Sequence, residues 1–214
     1  MYDKEFLRGC MKNEGPSLSD LLFDKLIEAG ETEFIKAKEY LIAPGQIDRS
    51  IYILASGFTK LVYFDEKKES ILGFGGIGTI SISPLSYYMG KPAFCGFQAL
   101  TDCEVIKIKK SDFDFLISTY PELSSWIFNI AMFQYCLFEL KLKMLSEGDP
   151  ISNYKKLMNK KMTLHNDGIN DPTRIKLISM VPSQDLASYL GITPSYLSNI
   201  RPVAVKRGTK FSAC

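Results

Sequence analysis

The stretch Ser183 to Arg201, SQDLASYLGITPSYLSNIR, constrains this chain more than any other, because its spacing leaves room for two short helices, a tight turn and little else. Ser183 is suited to cap a first helix whose inward face is Leu186, Ala187 and Leu190, and Gly191 supplies the permissive residue that ends it. Thr193 then caps a second helix with its hydroxyl, and Pro194 takes the first helical position, where a missing N–H costs nothing. Leu197 and Ile200 point inward on that second helix and leave Ser195, Tyr196, Ser198 and Asn199 outside. The pattern is that of a helix-turn-helix, whose outward groups can meet base edges and phosphates in a major groove. An ordinary capped helical hairpin has the same spacing.

Charge separates the two readings. The total of +2 conceals an uneven distribution: residues 1–150 hold 16 Lys and Arg against 21 Asp and Glu, net −5, and the last 64 hold 10 against 3, net +7. The basic residues Lys155, Lys156, Lys160, Lys161, Arg174, Lys176, Arg201, Lys206, Arg207 and Lys210 travel with the helix-turn-helix. They are placed to neutralise phosphates and release counterions, although a lysine-rich face can also be merely solvated.

Upstream, from about Lys38 to Lys110, the runs YLIAP, SIYILASG, TKLVYF, SILGF and CEVIKI alternate with Pro44-Gly45, Ser56-Gly57, Asp65-Glu66-Lys67 and the glycines from Gly73 to Gly78. Short β-branched and aromatic runs at this spacing predict an antiparallel β-roll. GFGGIG is not the GxGxxG of a nucleotide cradle and precedes no clear helix, so a tight bend between strands is the better reading. From Ser111 to Ser146 the pattern turns helical. Leu123, Ile127, Ile130, Phe133, Leu137, Leu140 and Met144 recur at three- and four-residue spacing after Pro121, and Phe128, Met132, Tyr135 and Phe138 lie on another side. A rod of about 25 residues, roughly 37 Å, apolar on two sides needs two partners; the first stripe is the expected dimer interface, and a core helix of a monomer is the alternative. Gly148-Asp149-Pro150 stops the rod and marks a hinge.

The rest of the chain excludes more than it proposes. Cys10, Cys95, Cys103, Cys136 and Cys214 are odd in number, scattered and never in a CxxC pair, which argues against a disulfide framework and a zinc site and for a reducing cytoplasm. MYDKEFLRGCMKNEG lacks the apolar core of a signal peptide, and the most apolar run, Trp126 to Phe138, is too short to span a bilayer, so no membrane partner is expected. One histidine, His165, no metal-ligand spacing and no nucleophile motif leave no catalytic constellation; Ser56-Gly57 reads as a turn and Cys95 as a buried thiol. We expect no enzyme, no cofactor and no metal.

The order of SIYILASGFTKLVYF, QALTDCEVIKI, the long helix and LASYLGITPSYLSNIR resembles the cyclic-AMP receptor protein superfamily of bacterial transcription regulators, over nearly the whole chain. The resemblance implies an α+β chain. Residues 1–110 would be an N-terminal antiparallel β-roll (jelly roll) sensor, 111–148 a long dimerisation helix and hinge, and 149–214 a winged-helix-like DNA-binding domain. It implies double-stranded DNA, a second copy and RNA polymerase as partners, with room for a small-molecule effector whose pocket is unknown. The family's base-reading positions fall on Pro194, Ser195 and Asn199. The full DNA-binding set expected is Thr193, Ser195, Tyr196, Ser198, Asn199, Arg201, Lys206 and Arg207.

Two departures qualify the resemblance. Cyclic-nucleotide binders of this family use a Glu and an Arg-Ser pair to hold ribose and phosphate; here the stretch is GGIGTISIS, and Ala93 and Phe94 stand where Arg and Ser would be. A phosphate desolvated without a cation is costly, so cyclic AMP is not the expected ligand. At the other end, Pro202 would clash with the Ser198 carbonyl if the recognition helix continued, and VAVKRGTKFSAC leaves room for one or two short strands or a basic tail. The alternative function is therefore an effector- or protein-binding β-roll module whose altered C-terminus no longer reads DNA.

Overall fold

Runs of β-branched and aromatic residues bounded by turn residues become strands. The computed structural model describes residues 2–14, 18–65, 68–146, 148–158 and 180–206. Its strands are β1 (Glu31–Ile35), β2 (Tyr40–Ile42), β3 (Ser50–Ser56), β4 (Thr59–Asp65), β5 (Lys68–Gly75), β6 (Ile80–Ser81), β7 (Cys95–Ala99) and β8 (Cys103–Lys109). They build two antiparallel sheets, ordered β1-β8-β3-β6 and β2-β7-β4-β5. The expected antiparallel β-roll is present, with β1, β6 and β7 added to the strands read from sequence.

β3 shows why IYILA runs apolar rather than alternating. Ile51, Ile53 and Ala55 enter a core shared with the helices, while Tyr52 and Leu54 enter a second core with Leu41, Ile42 and Ala99 of the other sheet. A strand buried on both faces has no position for a charged side chain. Each such side chain, fully buried, contributes about 1.5–3 kcal/mol relative to exposure.

The helices are α1 (Lys4–Glu14), α2 (Asp20–Glu28), α3 (Pro84–Met89), α4 (Lys110–Thr119), α5 (Glu122–Ser146), α6 (Pro150–Met158), α7 (Ser183–Leu190) and α8 (Pro194–Lys206). Asp3 and Ser19 cap α1 and α2, accepting from Glu5 and Phe6 N–H at 2.9 and 3.0 Å and from Leu22 N–H at 3.3 Å. Leu7, Met11, Leu22, Phe23 and Leu26 then join the helix-side core, with Arg8 paired to Asp24 at 2.9 Å and stacked over Phe23. The glycine run is the tight bend expected of it. Gly78 has φ +90°, its N–H donates to Leu54 O at 2.8 Å, and a Cβ there would lie 2.9 Å from the backbone of Cys10 and Met11. Only glycine lets α1 sit so close to that turn.

The chain separates into two compact units, Met1–Cys136 and Leu137–Cys214. Between α5 and α6, Gly148 adopts φ +67°, and Asp149 caps α6 by accepting from Ile151 and Ser152 N–H at 3.1 and 3.2 Å. Cys10, Cys95, Cys103 and Cys136 are not joined in disulfides, and Cys214 and His165 lie outside the described residues.

Candidate nucleic-acid interface

The two helices read from sequence lie where their caps put them, with one exchange of roles. Leu186, Ala187 and Leu190 are buried along α7, and Gly191 closes it in the left-handed conformation at φ 68°, with its N–H on Ser188 O and the Ile192 N–H on Ala187 O at 3.0 Å. Thr193 accepts from Tyr196 N–H at 3.2 Å, and Pro194 opens α8. Ser183, expected to cap α7, is its first helical residue instead. Pro182 holds the cap position without a side-chain bond, and Ser183 Oγ accepts from Arg201 Nη1 at 3.0 Å. The hydroxyl is thus committed to tying the end of one helix to the start of the other.

α8 presents the expected outward set. Leu197 and Ile200 are buried, and Thr193, Ser195, Tyr196, Ser198 and Asn199 are exposed. Two of the expected contacts are already engaged within the chain: Ser198 Oγ donates to Pro194 O at 3.1 Å, and Arg201 holds Ser183. Ser195 and Asn199, one turn apart, keep their polar ends on the exposed face. Lys155 and Lys156 of α6 are half-buried; the side chain of Lys206 and all of Lys160, Lys161, Arg174, Lys176, Arg207 and Lys210 lie outside the described residues.

Pro202 does not end the helix as expected. α8 continues through it to Lys206, so Val203 to Lys206 are helical rather than a strand or a loose tail. Proline's fixed φ, about −65°, is already helical; its cost is a lost N–H bond and a local bend, which a helix anchored by Leu197 and Ile200 absorbs. The expected strand or tail beyond 206 lies outside the described residues.

Of the stripe assigned to a dimer interface, Leu123, Ile127 and Ile130 are buried in the first unit's own core, and Met144 is buried in the second, where its carbonyl accepts from Asn153 Nδ2 at 2.8 Å. Phe133 and Leu140 are half-buried and Leu137 is exposed. The exposed stripe is a different one: Phe128, Ala131, Tyr135, Phe138, Leu142 and Leu145 recur at strict alternating spacings of three and four, the a and d positions of a coiled coil. Three of these six, Ala131, Leu142 and Leu145, belong to neither stripe read from sequence, because periodicity alone does not rank two apolar stripes on one helix.

In the β-roll, the segment from Gly76 to Phe94 contains no carboxylate and one cation, Lys91, which is exposed. Ala93 is buried, and its backbone is spent on the neighbouring loop, donating to Gln46 O at 2.9 Å and accepting from Gly45 N–H at 2.8 Å. Phe94 is 73% exposed. Tyr87 and Ser86 of α3 are buried, and burial pushes the Tyr87 hydroxyl far above its ordinary range, so it stays neutral. No group of metal-ligating residues and no helix long and apolar enough to cross a membrane occurs among the described residues.

Comparison with known proteins agrees with this architecture. Residues 32–120 match the family of the cyclic nucleotide-binding domain. Among solved structures, the chain is similar to FixK2 from Bradyrhizobium japonicum (14% identity, 86% of this chain and 89% of that one, TM-score 0.67). It is also similar to CLP from Xanthomonas campestris, described as a c-di-GMP responsive global regulator (15%, 89% and 93%, TM-score 0.65). A third is the catabolite activator protein of Thermus thermophilus (16%, 89% and 85%, TM-score 0.54). At these identities the likeness is one of fold. No curated protein matches the sequence.

Proposed function

We propose that this chain, which carries a cyclic nucleotide-binding domain over residues 32–120 and the fold of the catabolite-activator regulators, is a sequence-specific transcription regulator that binds DNA as a homodimer. The observation that carries the reading is α8: Leu197 and Ile200 are buried on its packed face, and it offers Ser195, Tyr196, Ser198 and Asn199 to solvent. Asn199 has the two-pronged amide that pairs with the N6 and N7 edge of adenine, and Ser195 a hydroxyl that serves either strand. A second copy reads the matching half-site, and the exposed heptad stripe of α5, from Phe128 to Leu145, is the seam that suits it. A parallel pair of such helices buries the same residues from both chains, so one sequence pattern accounts for both sides of the interface.

The β-roll is proposed to act without cyclic AMP. A cyclic phosphate seated beside Ala93 would find the backbone there already hydrogen-bonded and no cation along Gly76–Phe94 except the exposed Lys91. Its signal, if small, is of another chemistry.

Selection of bound fragments from random DNA, at physiological salt, tests the proposal. A two-fold symmetric motif with half-sites about one helical turn apart is the expected result. Recovery of unenriched sequence would overturn it and leave the β-roll as the functional part, in a module that binds an effector or a protein.

A further inference from the structure

Lys141 lies on α5 within the second unit, 6% exposed, and its Nζ has no hydrogen-bond partner. The ammonium instead stands 3.7 Å above the ring of Tyr189 on α7. Its neighbours one turn away on α5 are Leu137, Phe138, Met144 and Leu145, none of them charged. The titratable groups of the facing α7 are Tyr189, whose hydroxyl burial pushes up, and Asp185 one turn earlier. α6, whose Asn153 reaches Met144 O, carries Tyr154, Lys155 and Lys156 and no carboxylate. The same contact is close-packed nearby: a Cβ on Gly191 would lie 2.9 Å from Leu145 Cδ2.

A lysine in this position works against the contact it sits in. Cation–π attraction to one tyrosine offsets only part of what an ammonium loses on leaving water. We propose that Lys141 is a positioning residue whose unpaired, buried amine holds the seating of α7 on the end of α5 close to balance, so that the helix-turn-helix can be released from the long helix and re-seated. Separation restores the hydration of the amine; seating restores the packing of Leu145 on Gly191 and the stack on Tyr189. Desolvation brings the Lys141 pKa down from 10.5 to about 7 in the seated form. The seated form therefore binds fewer protons than the released one between pH about 7 and 10.5. Seating tightens as pH rises through that window, by up to about tenfold per pH unit, and levels off below it.

Hydrogen exchange on the full chain without DNA, corrected for intrinsic rates at each pH, reads this directly in the peptides covering residues 183–190. Wild type should gain protection from pH 7 to 9. Lys141→Met keeps the length of the side chain and removes the charge, so its protection should be flat with pH and at least about tenfold above wild type at pH 7. Lys141→Arg stays charged throughout and should be flat and low. Equal protection in wild type and Lys141→Met, with the same pH dependence, would overturn the proposal, even if Lys141→Arg fails to fold. The proposal rests on seating alone. It survives if the chain reads no DNA, and DNA selection can succeed where the exchange experiment fails.

Discussion

Replacing Leu142 by Glu separates the two apolar stripes of α5. Leu142 is 67% exposed within its own chain, at an a position of the exposed heptad stripe. Full burial of a leucine contributes about 1.5–3 kcal/mol, so covering the exposed two-thirds contributes about 1–2 kcal/mol per copy and about 2–4 kcal/mol per dimer. At 1.4 kcal/mol per factor of ten, losing that burial weakens the dimer by about 30- to 700-fold. This is a lower bound, because the substitution also sets two carboxylates against each other across the seam. Thermal unfolding of the isolated protomer should move little, within about 0.5 kcal/mol, since an exposed position supports little of the fold. Ile130→Ala should do the reverse, costing about 2–5 kcal/mol of stability in the first unit, where Ile130 is buried. Sedimentation velocity over a dilution series reads the first effect and calorimetry the second. If Leu142→Glu sediments as wild type at every concentration, α5 is not the seam through this stripe. If Ile130→Ala dissociates dimers at unchanged stability, the stripe read from sequence is the seam after all.

Other outcomes follow from the same geometry. Asn199→Ala should lower preference for the selected motif over scrambled DNA by about 1–3 kcal/mol, roughly 5- to 160-fold, in competition binding, with the fold intact because Leu197 and Ile200 hold α8; unchanged preference would place base readout elsewhere. Cyclic AMP in large excess should leave the melting temperature of the β-roll where it is, and a rise that saturates with concentration would show a phosphate site that Ala93 and Phe94 do not exclude. Gly78→Ala forces a Cβ into φ +90° and against the α1 backbone; we expect the first unit to lose at least about 1–2 kcal/mol in denaturant unfolding, and an unshifted midpoint would mean that α1 does not pack on that turn.

Legibility in the sequence followed the range of the interaction. The turn at Gly191, the Thr193 cap and the Pro194 start were readable because each is settled within a few residues. β3, β4 and β8 were readable because SIYILAS, TKLVYF and CEVIKI are dense in strand-forming residues, whereas ETEFI and CGFQA, which became β1 and β7, carry too few apolar residues to stand out. β1 is held by pairing to β8 and by ion pairs such as Glu31 with Lys109 at 2.9 Å, and these reach across 78 residues of chain. α1 and α2 were missed for a related reason: mixed charges hid an apolar face that counts only once the roll is there to cover it. At the C-terminus Pro202 reads as a stop in the sequence, although its φ permits a helix that other contacts already anchor.

What the sequence by itself determined is the local program: where helices begin and end, the sheet-forming runs, the segregation of basic charge to the end that carries the helix-turn-helix, and the missing cation beside Ala93. Tertiary structure decided which of two apolar stripes on α5 turns inward, which hydroxyl caps and which one bridges, and that Lys141, one lysine among many, is deprived of water. The division has a physical reason. Backbone preferences act between neighbours and are written in order along the chain, but burial and desolvation depend on which distant surface arrives, and that surface exists only after folding.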